Sequence, residues 1–449
     1  MNRDSSSNLI IGGGLAGVVT AWVLSRQGYP GVLLEKNAAL GGGNRSFRND
    51  RGDVFDYGGH WIYARRSEFT SRFFTHVQGE EKVRRFPLQR GIYLDGTLIP
   101  YASPLDEWPE RFRKRIEVQP GGPSPELGNT REEFARSYGD WFANLIFEDV
   151  LDSFPICRWR KSNGVAEKNL MRWIYPWFFP LTDLERTPDA NHDAEDVFIA
   201  ESRNYHHWIR HADGAEEALY PRENGFGNWV SSIAQQIGDP MDVQTGIAEL
   251  SSSIDPDSLN VTSVSADGRT YEPERVFWCA PFSILASILD WEVPPATPQK
   301  AVLGSFSFDR PIQTSYHEIL FGDPDHPIRR VTFPQKLAGQ AESHTCQVEL
   351  MFPEGNINRS ADDWEASWLN SLRETGLISD HQPVEVKVDE VPIGVVLNRD
   401  IQDFIEEKKG EVRSKSDNLV LPDVNIGPGN SSRSVPRIFN NVYDDLLSN

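Results

Sequence analysis

Residues 8–35 read Asn8-Leu9-Ile10-Ile11-Gly12-Gly13-Gly14-Leu15-Ala16-Gly17-Val18-Val19-Thr20-Ala21-Trp22-Val23-Leu24-Ser25-Arg26-Gln27-Gly28-Tyr29-Pro30-Gly31-Val32-Leu33-Leu34-Glu35. A short apolar run meets glycines at once, which predicts a strand ending in a tight turn. Val19, Trp22 and Val23 then recur at helical spacing until Gly28, and Val32-Leu33-Leu34 predicts a second strand. Strand, glycine turn, helix and strand in this order form the βαβ unit that holds dinucleotides. Gly12 permits the turn, Gly14 lets backbone approach a pyrophosphate, and Gly17 lets helix and strand pack closely. The phosphates would meet unpaired N–H groups at the positive end of the helix. Glu35 lies 18 residues beyond Gly17. Its carboxylate is expected to accept two hydroxyl hydrogen bonds from a ribose, and its charge disfavours a 2′-phosphate there. The candidate cofactor residues of this unit are Gly12, Gly14, Leu15, Ala16, Gly17, Glu35 and Lys36.

Outward from this unit, Gly41-Gly42-Gly43-Asn44 and Phe55-Asp56-Tyr57-Gly58-Gly59-His60 bring further residues without side chains towards the same cleft. A bulky flavin needs backbone close to its ribityl chain and ring, whereas a nicotinamide dinucleotide does not need these extra glycines. FAD is therefore the expected cofactor, and Gly42, Gly43, Asn44, Gly58, Gly59 and His60 join the candidate contacts. Ile247, after the predicted strand that ends at Gly246, is the expected backbone contact to adenine.

The whole chain has 449 residues, with 45 Lys+Arg against 66 Asp+Glu and a formal net charge of −21. That balance argues against general binding to nucleic acid or to an anionic membrane. There is no run of eighteen apolar residues, so no membrane-spanning helix is expected, and the polar start does not read as a secretory signal. The three cysteines, Cys157, Cys279 and Cys346, are too far apart for a CxxC site or a paired framework, and a cytoplasmic location is expected. The 13 Trp, concentrated at 141–177 and near Trp208 and Trp229, suit either an aromatic core or a wall for a flat ligand.

Beyond residue 60 the pattern predicts a hairpin over 86–101 with Asp95-Gly96 at its turn. Aromatic-rich helices are expected at 131–151 and 164–177, an acidic loop at 181–200, and a helix from Gly227 towards Ile237. Residues 241–289 predict short strands, including 242–246, 259–262 and 275–280, and 301–400 reads mostly as strands. The expected fold class is α/β: a discontinuous Rossmann-like FAD-binding domain over 1–85, 220–300 and 418–449. Into it are inserted a sheet-containing substrate domain over 86–130 and 301–417, and a helical aromatic-rich region over 131–219. His207 and His211 could share a helix face, but they lack a clear third ligand, so no metal site is expected.

These motifs resemble the FAD enzymes that include UDP-galactopyranose mutase, protoporphyrinogen oxidase and the flavin amine oxidases. The first sixty-five residues are similar to all of them; later segments are more similar to the mutase. Tyr57-Gly58-Gly59-His60-Trp61-Ile62-Tyr63 resembles the mutase loop beside the flavin, with His60 at its histidine. Trp159 and Arg172 resemble its substrate-side tryptophan and phosphate-binding arginine. Pro327-Ile328-Arg329-Arg330-Val331 resembles a strand carrying a further arginine, at Arg330. Arg433 and Phe439-Asn440-Asn441-Val442 resemble the segment and helix that touch flavin. The chain departs from the mutase pattern at Ser432, Tyr63 and Phe439, and near 391–394 it lacks a diphosphate-binding tyrosine.

The resemblance implies ring-form interconversion of a nucleoside diphosphate sugar through a reduced-flavin N5–sugar adduct. In that scheme His60, Arg330 and Arg433 are catalytic, while Trp159, Arg172, Arg330 and Phe439 bind substrate. Arg433, Asn440, Asn441 and Val442 contact the cofactor. The alternative is an oxidase or dehydrogenase of the amine oxidase or protoporphyrinogen oxidase type, with Tyr175, Trp177, Phe178 and Phe179 lining an apolar channel. A flavin-binding protein without catalysis is the third reading.

Overall fold

Five parallel strands form the sheet on which the glycine turn stands. Their spatial order is Met241–Thr245, Gly31–Glu35, Asn8–Ile11, Arg275–Trp278 and Leu419–Val420. In chain order this is 3-2-1-4-5, the doubly wound arrangement that opens a crevice beyond the carboxyl ends of its central strands. The computed structural model describes residues 3–4, 7–64, 68–94, 96–100, 217–295, 298–321, 326–353, 359–395, 399–422, 435–436, 438–440 and 442. The helix Leu15–Arg26 follows the first strand, and Val18, Val19, Ala21, Val23 and Leu24 bury against the sheet. Strands drawn from such distant parts of the chain pair because the central ones are apolar on both faces and need cover on each.

A second sheet of seven strands has the order Pro383–Val395, Pro298–Phe308, Thr345–Pro353, Arg330–Thr332, Glu318–Phe321, Arg90–Leu94 and Thr97–Pro100. Its pairs are antiparallel except for Glu318–Phe321 against Arg90–Leu94. Leu94 pairs with Thr97, as expected of the hairpin, and Gly96 has φ +73°.

Alternation along these strands separates two unlike faces. Val302, Phe306, Ile319, Val331 and Val348 share an apolar core with Trp364 and Trp368 of the helix Ala361–Glu374. Trp368 can lie on the sheet because a Cβ at Gly304 would be 2.4 Å from its ring. The opposite face carries Ser305, Ser307, Glu318, Thr332, Gln347 and Glu349, all buried. It is covered by the segment 46–60, whose strands Ser46–Arg48 and Val54–Asp56 form a hairpin. Ser307 donates to Asp53 (2.7 Å), Gln347 to the Asp56 carbonyl (2.6 Å), and Asn49 to Ser307 (2.9 Å).

Two expectations need correction. The stretch 301–400 contains the helix Ala361–Glu374, started by a capping box in which Ser360 and Asp363 exchange hydrogen bonds, with apolar residues spaced four apart at Trp364, Trp368 and Leu372. Likewise, 241–289 ends in the helix Phe282–Ile288 rather than a strand, begun after Pro281. Trp229 is fully buried, 5.0 Å from the Phe74 ring, so here the aromatic builds core and not a ligand wall. The predicted helices at 131–151 and 164–177, the acidic loop 181–200, the pair His207 and His211, and Cys157 lie outside the described residues. Among the described residues no helix is long and apolar enough to cross a membrane and no cluster suits a metal ion; Cys279 and Cys346 are free thiols.

Candidate functional site: the glycine turn and the loop 57–60

The turn shows what each glycine does. Gly12 has φ +102°, and a Cβ there would lie 2.8 Å from the Ala280 nitrogen, where the neighbouring sheet strand ends. A Cβ at Gly17 would lie 1.8 Å from the Gly12 carbonyl oxygen, so helix and turn touch only because residue 17 is glycine. At Gly14 a Cβ would meet nothing within 4 Å. Open space therefore lies at the N-terminus of the helix Leu15–Arg26, whose N-cap is Gly14 with no side-chain cap and no acidic residue in the first turn. A helix N-terminus with no side-chain cap, at the positive end of a twelve-residue helix, suits a pyrophosphate.

Glu35 is 6% exposed. One of its oxygens accepts the Gly13 N–H (2.7 Å); the other accepts the Asn37 backbone N–H (2.8 Å) and side-chain amide (2.5 Å). A carboxylate takes about four hydrogen bonds. With three occupied, Glu35 has room for one ribose hydroxyl rather than the two expected, the other position being used to hold the turn. Lys36 beside it is exposed. Ile247 donates its N–H to the Glu35 carbonyl (3.1 Å) and Gly246 to the Asn37 carbonyl (2.9 Å), so this backbone is tied to the strand end that carries Glu35.

From the turn a continuous chain of contacts leads to the second sheet. Gly41 donates to the Gly13 carbonyl (2.7 Å), and Gly42 stands so close that its Cβ would lie 3.3 Å from the Gly14 Cα. Gly43 faces open space, and Asn44 closes the short 3-10 turn by donating to Gly41 (2.9 Å). Arg45, which sequence reasoning missed, donates to the Gly42 carbonyl (2.9 Å) and lies over the Tyr57 ring, 5.2 Å from its centre. Tyr57 in turn donates to the Arg45 carbonyl (3.1 Å). His60 lies against the Tyr57 carbonyl (3.3 Å) and stacks at 5.4 Å on Phe226. Burial lowers the His60 pKa; Asp56 opposes the shift and Arg330 adds to it, so the ring is held neutral.

Asp56 anchors the loop. Its carboxylate accepts from Ser46 (2.6 Å), Tyr220 (2.6 Å) and the Phe226 N–H (2.8 Å), joining the hairpin to the start of the helix Gly227–Gln235. Burial raises its pKa against these donors.

Arg330 touches the other side of the loop. A Cβ at Gly59 would lie 3.1 Å from its guanidinium carbon, and Arg330 donates to the Gly59 carbonyl at 3.5 Å. It is not a free cation: Glu349 is in direct contact, and Glu318 lies 3.5 Å away. Those two carboxylates outweigh burial and raise its pKa. Phe439 lies in the core, its ring 5.2 Å from Phe73 and 5.9 Å from Trp22, a placement that does not suit the expected substrate contact. Val435, Ile438 and Val442 are buried in the same core, so Val442 too packs inward, while Asn440 is exposed. Trp159, Arg172, Arg433 and Asn441 lie outside the described residues.

With this geometry in view, comparison with known proteins places the fold. Residues 10–77 match the family described as NAD(P)-binding Rossmann-like domain. No curated protein sequence matches the chain. Among solved structures, reduced UDP-galactopyranose mutase is similar with TM-score 0.70 and 16% identity, over 99% of this chain and 96% of that one. A protein assigned as a protoporphyrinogen oxidase, from Exiguobacterium sp. 255-15, gives TM-score 0.70 and 15% identity over 100% of both chains. Wild-type putrescine oxidase bound to putrescine gives TM-score 0.54 and 14% identity, again over 100% of both. The chain is thus an α/β protein built on a Rossmann-like dinucleotide-binding unit. Its particular architecture is the one shared by these mutase and oxidase structures.

Proposed function

We propose that this protein is an FAD-dependent enzyme acting on a small molecule. The observation that carries this reading is the open space at Gly14 before an uncapped helix N-terminus, with buried Glu35 at the end of the next strand. The residues fit the cofactor: the N–H groups of Leu15, Ala16 and Gly17 would hold pyrophosphate, Glu35 one ribose hydroxyl, and Ile247 the adenine edge. Gly42, Gly43 and Asn44 would border the ribityl chain, and Gly58, Gly59 and His60 the ring. When bound, the flavin supplies the electron-pair chemistry. His60, neutral and with Nε2 against the Tyr57 carbonyl of its own loop, would orient that ring edge without adding a positive charge. The proposed FAD-binding region comprises 1–85, 220–300 and 418–449, with 86–130 and 301–417 on the substrate side and 131–219 as a helical insertion.

The finer reading is interconversion of the ring forms of a nucleoside diphosphate sugar. It rests on the order of His60, Arg172, Arg330 and Arg433 along the chain and on the extent of the likeness to the reduced mutase. Arg172 and Arg433 would face the diphosphate, Trp159 would wall the sugar, and Asn440 and Asn441 would lie by the cofactor. A second reading, an oxidase, is favoured by one observation: Arg330 is already neutralised by two carboxylates and offers less to a diphosphate. Incubating the dithionite-reduced enzyme with a panel of nucleoside diphosphate sugars separates the two. Pyranose-to-furanose conversion supports the mutase; turnover only by the oxidised enzyme with O₂, releasing peroxide, supports the oxidase.

A further inference from the structure

The buried polar face of the seven-stranded sheet holds four charges in a row. Strand register sets them there. Arg90 pairs directly with Glu318 across the parallel ladder, and Arg330 pairs directly with Glu349 across the antiparallel one. Leu320 is opposite Arg330, so Glu318 is its diagonal neighbour on the same face. The ion contacts follow: Arg90 to Glu318 at 2.5 Å, Glu318 to Arg330 at 3.5 Å, then Arg330 to Glu349. Two cations alternate with two carboxylates, and the side chains of Glu318 and Glu349 are only 1% and 8% exposed.

Taking four charges out of water is costly, and a ladder of this kind is rarely the cheapest way to fill a sheet face. Its end lies at the loop beside the cleft. From the point where a Cβ at Gly58 would stand, the Glu349 carboxylate is 3.4 Å away, the His60 ring nitrogen 3.6 Å and the Arg330 guanidinium 3.8 Å. Gly58 has φ +109°, so this approach is reserved for a residue without a side chain. Arg330 and Glu349 are therefore fixed against the same loop that the contacts through Arg45, Gly42 and Gly41 tie to the glycine turn.

We propose that the Arg330–Glu349 pair is a positioning and tuning element for the bound flavin: its two opposed charges hold the loop 58–60 and set the reduction potential, with Arg330 acting through the ring end of the cleft and not as a diphosphate clamp. This rests on the FAD reading above. Reduced flavin is an anion near neutral pH, so a fixed negative charge nearby opposes reduction and a fixed positive charge favours it. Arg90 and Glu318 lock the pair from behind and keep Arg330 from turning towards an anionic ligand.

The test is the midpoint potential of the FAD-loaded protein, measured by dye-equilibrated reduction under anaerobic conditions. Glu349→Gln preserves shape and removes the negative charge; its potential should rise, with the reduction equilibrium favoured on the order of tenfold, about 30 mV for a two-electron couple. Arg330→Met should lower it, and the double variant should lie between the two. Should Arg330→Met fail to fold, Arg330→Lys, which keeps the charge, should retain the wild-type potential. Shifts of the same sign in Glu349→Gln and Arg330→Met, or a Glu349→Gln protein that binds FAD at an unchanged potential, would overturn the proposal. Failure of the wild-type chain to take up FAD would instead overturn the cofactor reading on which it rests.

Discussion

The glycine turn and the buried face of the second sheet deal with polar groups in opposite ways. At the turn, the helix Leu15–Arg26 starts with no side-chain cap, and a Cβ on its N-cap Gly14 would stand in open space. On the sheet, buried Glu318 and Glu349 are paired with partly buried Arg330. One region has no side chain to close it; the other pairs its charges internally, holding the loop 58–60. On the proposed reading, the open turn takes the ligand and the paired charges hold the loop beside it.

The largest effect that could break this comparison is expected at Gly17. Gly17→Val would drive a Cβ into the Gly12 carbonyl, 1.8 Å away, and should cost about 4 kcal/mol or more, read as failure to give a cooperative urea transition. Wild-type stability there would mean that the turn does not pack as described. Next is Asp56→Ala, which strips three donors of their acceptor and should cost about 3 kcal/mol by urea unfolding; a change within 0.5 kcal/mol, the usual surface value, would remove Asp56 as the anchor.

A pH effect comes third. His317 is buried, and burial, with Arg84 nearby, lowers its pKa to about 4, below the ordinary 6.5. Its unfolded form therefore binds a proton first. The stability it contributes is complete above pH 6.5 and is lost as pH falls towards 4. His317→Phe should flatten that part of the stability profile, and an equally steep fall in the variant would contradict the assignment. The smallest change in stability belongs to Gly14→Ala. Its added methyl meets no protein atom, so stability should stay within about 1 kcal/mol while FAD affinity drops about tenfold or more. Equal affinity would sharpen the comparison against us, because the open space would then not be the pyrophosphate site.

How much of this was legible in the sequence follows the same division. The strand Asn8–Ile11, the helix Leu15–Arg26, the hairpin pairing Leu94 with Thr97 and the strands Met241–Thr245 and Arg275–Trp278 are all local patterns of apolar residues and glycine, and reading them needs no distant partner. Arg330 is different. Its partners Glu318 and Glu349 stand 12 and 19 positions away, and only the strand register brings them opposite, so an arginine that reads as a free cation is a neutralised one. Phe439 reads as a substitute for a substrate-binding tyrosine, yet Val435, Ile438 and Val442 at helical spacing turn that face into the core. Arg45 follows Gly41-Gly42-Gly43-Asn44; a cation close after three glycines is the signal present in the sequence, and no local pattern places its side chain.

The most direct measurement of the central claim is the absorbance spectrum of the purified protein before and after denaturation, followed by titration of the stripped protein with FAD. The account predicts a yellow protein that releases FAD on denaturation and rebinds it, with Gly14→Ala folded but impaired in rebinding. A colourless, folded wild-type protein that takes up no FAD at any concentration would contradict it.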